Sequence, residues 1–79
     1  MNIEQQELKK FLEQQLEWSK ERSKILAKIN NKLHEMKEIA EFSLAHKFSR
    51  TEIHKLNTQL NALKDEVYHL EKQLNTVVH

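Results

Sequence analysis

From residue 53 onward, apolar residues recur with a strict alternation of three and four. Ile53, Leu56, Leu60, Leu63, Val67, Leu70, Leu74 and Val77 form an unbroken run over four heptads. That spacing keeps one side of an α-helix apolar and predicts a coiled-coil seam with these residues at a and d. The residues between them are polar or charged apart from Ala62, Tyr68 and Val78.

The first part of the chain is patterned differently. Leu8, Phe11, Leu12, Trp18, Ile25, Leu26, Ile29, Leu33, Met36, Ala40 and Leu44 fall on one face at 3.6 residues per turn. This stripe is broader than an a/d seam, as expected of a helix with more than one neighbour. Gln15, Ser19 and Arg22 interrupt it.

Between the two patterns, Ser49-Arg50-Thr51-Glu52 matches the S-x-x-E capping box, with Ser49 as N-cap. Phe48 and Ile53 take the two positions of a hydrophobic staple around it. The phase of the apolar faces points the same way. Projecting the C-terminal heptads backwards puts a positions at His46, Ile39, Lys32 and Ile25. The N-terminal stripe lies mostly one residue further on, at Leu26, Ile29, Leu33, Met36 and Ala40. A straight rod would therefore turn its two halves towards different sides. A break near residues 46–49 followed by reversal lets the faces meet.

The predicted fold is all-α: a two-helix antiparallel hairpin with coiled-coil packing, self-associating into a helical bundle. The alternative is a long continuous coiled-coil rod. Residues 1–79 form one helical domain in this reading, with helices over about 2–45 and 49–79. Leu26, Ile29, Leu33 and Met36 are expected to oppose the seam of the second helix. Leu8, Phe11, Trp18 and Arg22 overhang the shorter helix and offer a second interface.

Composition narrows the function. The 79 residues contain no Gly, Pro or Cys. Phosphate-binding glycine loops, nucleophile elbows, disulfides and cysteine metal sites are thereby excluded. The longest apolar run is three residues, Ile25-Leu26-Ala27, so no membrane span or leader core is expected. A cytoplasmic setting follows as the default. Lysine outnumbers arginine 11 to 2, a usage that fits an AT-rich bacterial or phage genome.

The candidate chemistry is thin. Lys20, Lys24, Lys28 and Lys32 form a basic ridge, each four residues after the last, which needs anions nearby because like charges at that spacing weaken a helix. The anions could be phosphates, making a nucleic-acid-binding dimer the alternative function. They could equally be carboxylates of a second copy. Glu13, Glu17 and Glu21 precede the ridge, and two chains crossing antiparallel near residues 21–22 would set the acidic block on the basic one. The net charge of +1 and the scarcity of arginine disfavour nucleic acid. Arg22 reads either as a polar layer that fixes register or as a side chain laying its methylenes over the core.

Five histidines, His34, His46, His54, His69 and His79, raise the question of metal. Glu66-Val67-Tyr68-His69 has the Glu-x-x-His spacing of di-iron bundles, but those need two copies and further inward carboxylates. Asp65 and His69 share one helix face without a third ligand. No catalytic residue, cofactor, metal or small-molecule substrate is expected. Function is expected to be protein–protein interaction, with the chain itself and another protein as partners, in an adaptor or regulator that works through helix surfaces.

Overall fold

A computed structural model describes residues 2–77 as two antiparallel helices, α1 (Ile3–Ala45) and α2 (Arg50–Val77). The hairpin expectation holds, and the helix limits agree within a residue or two. Val78 and His79, expected in the second helix, lie outside the described residues.

Both helices start on reciprocal caps. Asn2 accepts a hydrogen bond from the Gln5 backbone N–H at 2.8 Å, and the Asn2 N–H donates to the Gln5 side chain at 3.3 Å. At the second start, the Glu52 N–H donates to Ser49 Oγ at 3.2 Å. The Ser49 N–H and hydroxyl donate to Glu52 Oε1 at 3.3 and 2.9 Å. The predicted capping box is therefore formed in full. It satisfies N-terminal donors that a helix cannot pair internally.

The corner closes without any residue at positive φ among the described residues. His46 leaves the helix in an extended conformation, φ −126° and ψ 149°, so no glycine is required. His46 Nδ1 lies 2.9 Å from the Phe42 carbonyl oxygen. A carbonyl only accepts, so this bond needs the tautomer protonated at Nδ1. The ring also stacks on Phe42, with centroids 4.1 Å apart. Phe48 completes the cluster, 5.4 Å from Phe42 and 5.8 Å from His46. The chain thus turns around three rings. Ile53, the expected staple partner of Phe48, stays 48% exposed.

Sheltered positions define the seam between the helices. On α1 they are Ile25, Ile29, Lys32, Met36, Ile39 and Ser43; on α2 they are Leu56, Leu60, Leu63, Val67, Leu70, Leu74 and Val77. The two sets share the same three-four spacing and run in step antiparallel. Counted along both helices from the Lys32–Glu66 contact and the groove shared by Met36, Lys64 and Val67, Ser43 falls about level with Leu56, Met36 with Leu63, Ile25 with Leu74, and Arg22 with Val77. The Lys32–Glu66 ion pair, at 2.9 Å, joins the helices in this register.

This corrects the expected α1 face. Ile29 and Met36 do oppose α2, but Leu26 and Leu33 lie to the side, 44% and 49% exposed. The backward-projected heptad positions Ile25, Lys32 and Ile39 take their place. Two polar residues in the seam disguised it. Ser43 is tolerated because its hydroxyl donates to the Ile39 carbonyl at 2.8 Å. Lys32 reaches out along the seam to Glu66.

The molecule is long and thin, 70 × 18 × 11 Å with a radius of gyration of 20.0 Å. A compact chain of this length would have a radius near about 12 Å. Its accessible surface is 6876 Å², against roughly 5,000 Å² for a compact monomer of this mass. Among the described residues only Ile25 (3% exposed) and Leu63 (9%) are buried.

Candidate interaction surface

Three surfaces follow from the hairpin. The first is the α1/α2 seam. Of the eight expected seam residues of α2, Leu56, Leu60, Val67, Leu70, Leu74 and Val77 are half-buried and Leu63 is buried. Ile53 is the exception, at the open corner end of the seam and level with His46.

The second surface is the side of the hairpin on which Leu26 and Leu33 emerge. There Leu33, Met36, Lys64, Val67, Tyr68 and Glu71 line a shallow groove of about 250 Å³. Tyr68, 55% exposed, is its α2 counterpart. Each half of the groove is too narrow to close on itself, because two helices leave a trough on either side of their contact line. The opposite trough is charged, lined by Lys28, Asn31, Lys32, Glu35, Asp65, Glu66, His69 and Leu70.

The third surface is the N-terminal arm. The described part of α2 runs to the level of Arg22, and among the described residues nothing packs against the part of α1 before it. Leu8, Phe11 and Trp18 are 57%, 54% and 44% exposed, with Leu12 and Leu16 beside them at 56% each. Leu8, Leu12 and Leu16 border one shallow depression on this arm, and Trp18 borders another with Lys10, Glu13, Gln14 and Glu17. Arg22 is exposed. The expected overhang is therefore present.

The basic ridge sits on the charged side of α1, away from Leu26 and Leu33. Lys32 is taken by Glu66 across the hairpin, and Lys20 lies 3.9 Å from Glu17 of its own helix. Lys9 and Glu13 are also 3.9 Å apart. Lys24 and Lys28 form no ion pair among the described residues. The Lys32 ammonium is held above its ordinary value of 10.5, first by the hydrogen bond to Glu66 and then by that carboxylate's charge. Half of the ridge thus finds its anion within the chain.

Asp65, Glu66 and His69 share the charged trough but do not converge. Among the described residues, no group of three or more His, Cys, Asp or Glu is placed to hold a metal ion. His34 lies 3.1 Å from Glu38 on an exposed turn. Also among those residues, no helix is long and apolar enough to cross a membrane.

Two features escaped sequence reasoning. The Phe42–His46–Phe48 cluster brings together residues outside the apolar stripe, and its only sequence signal was two phenylalanines six apart around a helix end. The seam role of Lys32 was signalled only by the backward projection of the heptads. Comparison with protein-family models, curated proteins and solved structures finds no match for this chain.

Proposed function

We propose that this chain is a small non-enzymatic interaction module, a helical hairpin that associates with copies of itself and presents helix faces to another protein. One observation carries the reading. Among the described residues twelve large apolar ones are exposed, from Ile3 to Tyr68, while only Ile25 and Leu63 are buried. So many exposed large apolar side chains beside so small a core favour contact with a partner. The hairpin exceeds a compact monomer by close to 1,900 Å². Stable interfaces bury about 800 Å² or more on each partner, so the excess is large enough for one.

An adaptor or regulator of cytoplasmic type fits this reading, because recognition by helix-in-groove packing needs only an amphipathic face. Sedimentation equilibrium on the full chain tests it. The mass should rise with concentration from that of one chain to that of two or more, and the thermal midpoint should rise with it. A monomer mass with a fixed midpoint would refute the self-association. The nucleic-acid alternative predicts a salt-sensitive shift of random duplex DNA; with two ridge lysines already paired in the chain, none is expected.

A further inference from the structure

We propose that the uncovered N-terminal arm is completed by the same arm of a second copy, running antiparallel with a two-fold axis beside residue 13. The inference rests on the self-association reading and specifies its geometry.

The seam does not stop where α2 does. Stepping back from Ile25 in the same three-four alternation gives Arg22, Trp18, Gln15, Phe11, Leu8 and Glu4. These residues continue the line that α2 covers, without a change of phase. The described part of α2 reaches the level of Arg22, and among the described residues about 27 Å of α1 carries a seam with nothing on it. Without a partner the arm has no tertiary packing of its apolar face, the main source of helix stability in proteins. Whatever covers it should continue the established interface: a helix in line with α2, antiparallel to α1 and about as long as the arm.

The arm itself has those properties. In an antiparallel coiled coil, a positions of one helix layer with d positions of the other. With the axis beside residue 13, Leu8 layers with the partner's Trp18 and Phe11 with the partner's Gln15. At the ends, Glu4 meets the partner's Arg22. Leu12, on the flank of the seam, faces the partner's Leu12. The Leu8–Trp18 layer is apolar and the Glu4–Arg22 layer joins opposite charges, so the arginine that interrupts the apolar stripe acquires a carboxylate.

Neighbouring registers fail on the geometry of the hairpin. Sliding one heptad closer drives the partner's Leu8 onto Ile25, which α2 already covers. Sliding one heptad apart strips Trp18 of its layer. A parallel pair places Arg22 on Arg22 and Glu4 on Glu4, so like charges meet at both ends. The chosen register has two costs, the Gln15 amide set against Phe11 and a contact of Glu7 with the partner's Glu21, each repeated by symmetry.

The absence of cysteine makes single-site spin labelling clean. Labels on Gln14→Cys and, separately, on Glu38→Cys are measured in the full chain by dipolar spectroscopy at concentrations where sedimentation finds dimer. The arm pairing places the two position-14 labels within about 20 Å and the two position-38 labels about 75 Å apart, near or beyond reach. A dimer with both pairs near about 35 Å would be centred near Leu26, on the side groove. A dimer with position-38 labels near about 50 Å would be centred at residues 21–22. Either result overturns the arm pairing while leaving self-association intact; a monomer throughout overturns both.

Charge reversal supplies the second readout. Arg22→Glu should weaken the dimer about tenfold, and Glu4→Arg on that background should restore it, since each ion pair occurs twice. Glu7→Gln should tighten the dimer. Failure of Glu4→Arg to restore association overturns the register.

Discussion

Ile25 and Leu26 are neighbours of equal size, and the hairpin assigns them different work. Ile25 is 3% exposed in the seam, whereas Leu26 is 44% exposed at its edge. Ile25→Ala removes three buried carbons and leaves space beside Leu74 that two helices can only partly close. Fully burying such a side chain is worth about 1.5–3 kcal/mol, and the residual cavity adds to the loss. A cost of about 2.5 kcal/mol is expected. Leu26→Ala removes a side chain already half in water and installs the best helix former, so its cost should stay under about 1 kcal/mol. A chain of this size has a total stability of roughly 4–12 kcal/mol, so the first change is large and the second small. Urea unfolding followed by far-ultraviolet circular dichroism measures both, at a concentration where sedimentation finds monomer. In thermal melts the Ile25 variant should fall by roughly 10–20 °C. Equal costs, or a larger cost for Leu26, would refute the seam assignment. Repeating the series where the chain associates separates the two roles, because any added penalty for Leu26 then belongs to the interface between copies.

Other consequences are equally direct. Ser49→Ala removes the acceptor for the Glu52 N–H and should cost about 1 kcal/mol in the same urea assay, with helix content otherwise retained. Spin labels at positions 33 and 63 of one chain, diluted with unlabelled protein, should lie within about 20 Å, whereas a continuous rod would separate them by about 45 Å. The Lys32–Glu66 pair predicts a pH effect on the alkaline side. Because the folded lysine is held above 10.5, its contribution is fully present below that value and is lost as pH rises through the folded one. Glu66→Gln should abolish this alkaline loss in unfolding titrations while leaving the neutral-pH circular dichroism spectrum unchanged. Phe48→Ala should loosen the corner, detected as faster amide exchange over residues 42–50 with α2 beyond Leu56 protected as before.

Much of this architecture was legible because helices advertise themselves locally. The heptads from Ile53 to Val77, the Ser49–Glu52 box and the phase change between stripes needed no tertiary information. Each reflects interactions within a few residues of the chain. The overhang of Leu8, Phe11 and Trp18 followed from helix lengths alone, since the second helix is about a dozen residues shorter. Lys32 was harder. A charged residue at a seam position looks like an interruption until its methylenes are seen to cross the contact line towards a carboxylate on another helix.

What the sequence determined by itself was the set of helices, their ends and the existence of a turn, because capping and periodicity act over one or two helical turns. Tertiary structure decided which of two adjacent apolar rows on α1 meets α2. Both rows satisfy helical periodicity, and only the antiparallel register, fixed by the corner and by Lys32 with Glu66, chooses the row of Ile25 and Ile39 over that of Leu26 and Leu33. That choice leaves the leucine row and the N-terminal arm facing water. The surfaces available for partners therefore depend on how the two helices pack, which periodicity within one helix does not determine.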